Sequence, residues 1–244
     1  MPPVRPLPLL RSLPYFVIPS AITGWIIYRG FDLMLARGFL PLTCFLALAL
    51  TLVGLFVAAL AAYHLEDREW TWSEFRDRLR LGRMARADWG WTVLVAAVHI
   101  GTYLGLGFTS AWLEKLLWPM PAVLDKVFSD QPGVFAGVVL KGQWWFAGLY
   151  AAVLFFNIFG EELWWRGIIQ PRQEAALGRH AWIAQGLLWT LFHLFWAPDL
   201  LRILPGALML AYAVQRRGNT WIGILSHSAL NGLGLVGVIK GIMG

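Results

Sequence analysis

The 244-residue chain is 58% hydrophobic, carries 15 Trp, has a mean hydropathy of +0.60 and is only 14% charged. Soluble domains are near half apolar and about one quarter charged, so the composition excludes an ordinary water-soluble globule and points to a membrane protein, where Trp gathers at the interfaces. The net charge of +6 does not indicate a nucleic-acid partner, because the cations fall mainly between apolar stretches, where the positive-inside rule puts them.

In chain order, Met1 to Pro14 is broken by Pro2, Pro3, Pro6 and Pro8. No continuous apolar stretch precedes a small-residue cleavage site, so a short cytosolic tail is expected rather than a cleaved leader. Spans that reach or approach the length needed to cross hydrocarbon are expected at 14–29, 39–63, 89–112, 144–168, 180–197, 200–214 and 219–238. This is an all-α, polytopic transmembrane helix bundle of about seven spans, within a range of six to eight. It reads as a single integral membrane domain over 1–244, with no repeat of 20–50 residues. Cys44, alone in an apolar run, excludes a disulfide framework and reads as a small buried side chain.

Two connecting stretches stand out. Segment 64–88 holds six Arg and six acidic residues, and its Trp70, Trp72, Phe75, Leu79 and Leu81 predict a helix lying on the membrane surface. Segment 113–143, with Trp118, Pro119, Pro121, Asp125, Lys126, Asp130 and Pro132, predicts a loop with an interfacial helix. With the N-terminus in the cytosol, the inner segments carry 12 Lys and Arg and the outer segments 7, with Arg166 set aside as intramembrane. The excess predicts a cell-membrane protein with its N-terminus inside. Gly101–Gly105 and Gly237–Gly241 have the small-residue spacing of helix contacts.

A charge at mid-bilayer costs about 2.5–3.5 kcal/mol on insertion scales, so polar residues inside the spans carry the functional signal. They are Glu161, Glu162, Arg166, His193, His227 and Asn231, with His99 a weaker addition. Glu162 and Arg166 are four apart, on one helical face and in the favourable order for an ion pair. Glu161 lies about 100° away and is less neutralised by that Arg, which makes it the candidate general base. Trp189 and His193 share one face, as do His227 and Asn231, whose neutral donors suit a developing oxyanion. Each group alone also reads as a packing or clamp feature. Together, on three spans, they supply a base, an imidazole and paired donors, the parts of peptide hydrolysis. The zinc signature HExxH, the nucleophile turn GxSxG and the paired-aspartate patterns YD and GxGD are absent.

The order Glu161-Glu162-x-x-x-Arg166, Trp189-x-x-x-His193, His227-x-x-x-Asn231 resembles the CAAX protease and bacteriocin-processing family of intramembrane proteases, which includes the type II CAAX prenyl endopeptidases. The resemblance covers a motif-bearing core of about 144–238. It implies that Glu161 and His193 activate a water, that His227 and Asn231 hold the oxyanion, and that Glu162 and Arg166 organise the site. Trp189 replaces the family's usual Phe. It is expected to keep an aromatic wall and narrow the cavity without touching the catalytic atoms.

Two chemistries stay open: a metal-free Glu/His activation, which is preferred, and a zinc site built from Glu161, His193 and His227 with one open position. The expected partners are the bilayer and a protein or peptide substrate, lipid-modified or membrane-embedded. Two other functions compete. One is a non-catalytic immunity or scaffold protein of the same family. The other is a proton-coupled transporter, disfavoured because no inverted repeat is visible.

Overall fold

A computed structural model describes residues 4–128 and 131–244; of the residues read above, Met1, Pro2, Pro3 and Asp130 lie outside that range. In hydrocarbon every backbone N–H and C=O must find a partner within the chain, which leaves helices as the economical choice for apolar runs. α1 (Leu9–Trp25) passes through one wide, five-residue-spaced turn (Ile26–Gly30) into α2 (Phe31–Ala36). α3 (Pro41–His64) follows, then α4 (Trp72–Arg78), and then α5 (Arg86–Gly105), which bends by 69° into α6 (Thr109–Leu116). α7 (Leu124–Val127) leads to a small hairpin of β1 (Val134–Phe135) and β2 (Val138–Val139). α8 (Trp144–Glu162) runs through a second wide turn (Leu163–Ile169) into α9 (Gln170–Leu177). After a tight turn come α10 (Ala181–Phe192), a 3₁₀ stretch (His193–Asp199), α11 (Leu200–Arg217) and α12 (Trp221–Met243).

Each of the seven expected spans has a helix at its core, although 89–112 runs through the 69° bend from α5 into α6 and 180–197 runs past α10 into the kink at Trp196. Four helical runs among the described residues are long and apolar enough to cross a membrane, five if the bent α5–α6 pair counts as one. One run, Trp144–Arg217, has 74 residues. As a straight helix it would be ~110 Å long at 1.5 Å per residue, against a hydrocarbon core of about 30 Å. It therefore folds back, at Gly178 (φ +60) and again at Trp196 (φ −123, ψ 54), and so holds three of the expected spans.

Several expectations need correction. The hairpin in 113–143 was not foreseen; its central residues Ala136 and Gly137 both have positive φ, 50 and 72, the twist a two-residue hairpin turn requires. Segment 64–88 is not one surface helix. Between the end of α3 at His64 and the start of α5 at Arg86 only Trp72–Arg78 is helical, with Thr71 Oγ1 accepting the Glu74 N–H at 3.3 Å, and Asp67 and Arg80 break the path with φ of 54 and 57. The segment is a strap fastened to the bundle. Arg78 grips Glu66 through two bonds of 2.6 Å and donates to Gly167 O at 2.7 Å. Arg80 pairs with Glu174 at 2.7 Å, and Thr220 Oγ1 donates to Leu79 O at 2.7 Å. Of the four glycines expected at helix contacts, only Gly241 sits at a close approach, where a Cβ would meet Leu140 Cδ1 at 2.8 Å. A Cβ added to Gly101, Gly105 or Gly237 would meet nothing within 4 Å, whereas one on Gly160 would meet Leu52 O at 2.6 Å and one on Gly186 would meet Leu208 Cα at 2.8 Å. Close helix approaches at glycines include α8 on α3, α10 on α11, and α11 on α5, where a Cβ on Gly206 would meet His99 Cα at 3.0 Å.

The strap, the N-terminal tail (Leu7 N–H to Arg172 O, 2.8 Å) and the α11–α12 turn (Arg217 to Asp88, 2.6 Å) meet at one end of the bundle. The hairpin and the C-terminus (Gly142 N–H to Ile242 O, 2.9 Å) lie together elsewhere, at the start of α8 and the finish of α12. One buried cluster centres on Tyr63, Leu79, Trp165 and Trp189, and a second on Phe45, Phe146 and Val238, with Cys44 buried in the latter.

Candidate active site

Glu161 and Glu162 close α8, just where the helix widens. The wide turn lets Arg166 stay on the Glu162 face while its neighbours are packed on all sides, since every residue from Leu163 to Ile169 is buried. Such a turn leaves carbonyls poorly served, and side chains cover them. Gln185 Nε2 donates to Trp165 O at 3.2 Å, and Arg78 Nη1 donates to Gly167 O at 2.7 Å. Gln170 Nε2 ties the start of α9 to Ala211 O of α11 at 2.7 Å. Glu162 and Arg166, both 0% exposed, form an ion pair at 3.2 Å, though the guanidinium N–H is not aligned into a hydrogen bond. Instead the Arg166 guanidinium lies 4.3 Å over the Trp189 ring, a cation–π contact.

All four expected catalytic residues, Glu161, His193, His227 and Asn231, line one cavity of about 520 Å³. His99, Tyr103, Asn157, Trp189 and Asp199 share its wall. The polar groups form a chain whose direction is dictated at its ends. The Glu161 carboxylate can only accept, so Asn157 presents its Nδ2 to Glu161 Oε1 at 2.8 Å. The Asn157 Oδ1 then faces Asn231 Nδ2, which also reaches His227 Nε2 at 2.9 Å. The other ring nitrogen, His227 Nδ1, faces the second carboxylate, Glu162 Oε1, at 3.0 Å. The consistent assignment is a neutral His227 carrying its proton on Nδ1. The two glutamates are thus joined through Asn157, Asn231 and His227. His227 and Asn231 are not two free donors side by side; they are bonded to each other.

Trp189 departs most from expectation. Its indole N–H donates to Glu161 Oε2 at 2.9 Å, so it does touch a catalytic atom. Its backbone carbonyl meets His193 Nδ1 at 2.9 Å. A carbonyl only accepts, so that nitrogen holds the proton and His193 Nε2 carries the free lone pair. One residue therefore orients both the acid and the imidazole, and its ring also meets the edges of His99, His193 and His227.

Sequence reading missed Asn157 and the Asp199–Tyr103 pair. Asn157 had a signal: a lone amide in an apolar run, four residues before Glu161 and hence on its face. Asp199 accepts from Tyr103 Oη at 2.8 Å and from Arg202 Nη1 at 2.6 Å, but it sits at a helix junction, where a polar residue attracts no notice. As for zinc, no three His, Cys, Asp or Glu side chains among the described residues come together as a metal-holding group. Both ring nitrogens of His227 face protein partners, Glu162 and Asn231, while His193 Nε2 and part of the accepting capacity of Glu161 stay free. With both nitrogens of His227 engaged by protein groups, the expected three-ligand site does not form from these side chains as they stand.

No curated protein and no solved structure matches the chain. Residues 143–233, which hold all three motifs, match the family model described as Rce1-like, type II CAAX prenyl endopeptidase. The resemblance read from the motifs is thereby borne out, and the site-bearing part of this integral membrane protein is similar to a CAAX-type intramembrane protease.

Proposed function

We propose that the protein is an intramembrane endopeptidase that hydrolyses a peptide bond with a water activated by Glu161 and His193. The observation that carries this reading is the convergence of an acid from α8, an imidazole from the α10 terminus and a His/Asn couple from α12 on one cavity. Glu161 keeps accepting capacity beyond its bonds to Asn157 and Trp189, and His193 Nε2 is the unprotonated ring nitrogen. Together they take a proton from water as its oxygen attacks the scissile carbonyl carbon. The oxyanion accepts the Asn231 N–H, drawn away from His227 Nε2, and His227, held by Glu162, keeps that amide in position. Collapse of the intermediate returns the proton to the leaving amine nitrogen. Glu162 and Arg166 hold His227 and Trp189 in place. The chemistry is metal-free, and the substrate is a protein or peptide reached within the bilayer, cut toward the cytosolic face.

The test compares membrane peptides from cells carrying wild type, Glu161→Gln, His193→Ala and His227→Ala. Each variant is expected to accumulate in the membrane while trimming falls by at least about a hundredfold. Chelator is expected to leave wild-type activity unchanged. Retained trimming in all three variants refutes the site; stoichiometric zinc with chelator-sensitive activity refutes the metal-free chemistry. A non-catalytic immunity or scaffold protein would keep its protective or assembly role in Glu161→Gln.

A further inference from the structure

Of all the residues that line the catalytic cavity, only Leu104, Leu233 and Gly234 are exposed; the rest are buried or half-buried. Leu104 is on α5 and is 67% exposed, and Leu233 is on α12 and is 51% exposed. These two helices touch where Val95 and Ile222 share a buried cluster. Beyond that point they take different partners. α5 ties itself to the start of α11, with Thr102 Oγ1 donating to Arg202 O at 3.2 Å and Tyr103 Oη to Asp199 at 2.8 Å. α12 packs Val238 and Ile242 against Leu140 and Phe146. The cavity lies in the cleft between them, beside the 69° break from α5 to α6. No residue of the strap lines it.

We propose that the cleft between α5 and α12 is a lateral portal, through which an extended, apolar polypeptide segment reaches the site from the bilayer. The proposal rests on the protease reading for the occupant being a peptide, since the cleft ends on Glu161, His193 and His227. The path runs past Leu230, Leu48 and Val153, which suits apolar side chains. A sphere of the cavity's volume is about 10 Å across, the width of one helix with its side chains, so a bound helix would leave no room to reach its backbone and the segment must unwind. An unwound backbone in hydrocarbon needs hydrogen-bond partners. Tyr103 and Asp199 line the same wall as Leu104 and bring hydroxyl and carboxylate oxygens to the path. A second groove of about 730 Å³ lies between α1 and α10, but Phe192 and Phe195 stand between it and the site.

The test uses full-length protein in phosphatidylcholine vesicles, with Cys44→Ala so that single nitroxide labels can be placed. Labels at Leu104→Cys and Leu233→Cys are expected to collide with oxygen more often than with a water-soluble nickel chelate. A label at Leu230→Cys, inside the cavity, is expected to be immobilised in a saturable way by a short N-acetylated, C-amidated alanine–leucine peptide. Leu104→Trp with Leu233→Trp should raise the half-saturating peptide concentration at least about tenfold, whereas Ala21→Trp in the α1–α10 groove should leave it unchanged. If the Trp pair does not fold, Leu104→Phe with Leu233→Phe serves instead. The titration is run in Glu161→Gln protein, so it reads binding alone and a failed portal is distinguished from a failed catalytic assignment. Nickel access equal to oxygen, no immobilisation, or an effect of Ala21→Trp without one from the α5–α12 pair overturns the proposal.

Discussion

Trp189 fastens Glu161 through its indole N–H and His193 through its carbonyl, so a change confined to the ring separates the two. Trp189→Phe keeps an aromatic face under Arg166 and deletes only the bond to Glu161. A hydrogen bond to a charged group contributes about 1.5–3 kcal/mol, so kcat should fall by about ten- to a hundredfold with little change in KM. Steady-state kinetics on a peptide that wild type cleaves will read this, and a changed KM with intact kcat would mean that the ring shapes the cavity instead. Asn157 bridges Glu161 and Asn231, which makes it testable by a double-mutant cycle. If the three act as one chain, Asn157→Leu with Asn231→Ala should cost no more activity than the worse single change, and additive losses would break the chain. At this scale the sequence was informative where a residue was costly. Ionisable groups inside apolar spans stood out because hydrocarbon penalises them, and Asn231 because it lies four residues from His227; a neutral amide costs less, and Asn157, four residues before Glu161, was passed over.

The strap shows what sequence periodicity does not carry. Its arginines were legible as charge, but their partners Gly167 and Glu174 lie 89 and 94 residues away in the chain. Nothing local distinguishes a fastened segment from a solvated one. The wide turn at Leu163–Ile169 was equally hidden, because its carbonyls are covered by side chains from the strap and from α10. Glu66 supplies a pH test of the fastening. Burial alone would raise its carboxyl, but the hydrogen bonds and charges of Arg78 and Arg68 outweigh this and hold it below its ordinary value of 4.5. A lowered folded value means the stabilisation is complete above the unfolded value and fades as pH falls through the folded one. Glu66→Gln should therefore lower the melting temperature in detergent at neutral pH, and its gap from wild type should close as the solution is acidified below about pH 4. A gap that stays constant with pH would show that the strap does not depend on this charge.

The whole molecule puts its polar chemistry close to one end. His227 is six residues from Trp221 at the start of α12, about 9 Å of rise, and the residues around Trp221 meet the strap. All 12 cations assigned to the inner segments belong to the tail, strap, α9 region and α11–α12 turn that surround this end. The span pattern and the sorting of charge were both legible, since each follows from transfer of single residues into hydrocarbon. The cleft that opens the cavity was not, since it depends on which helices pack together. The charge excess predicts that this end faces the cytosol. In a Cys44→Ala background, Ser73→Cys on the strap and Lys141→Cys ahead of α8 are both exposed reporters. In intact cells a membrane-impermeant maleimide should label Lys141→Cys and spare Ser73→Cys, and both should react once the membrane is permeabilised. The opposite pattern would turn the protein over. It would set the glutamates about 9–18 Å from the outer face, and a substrate delivered from the cytosolic side would have to cross most of the bilayer before meeting Glu161.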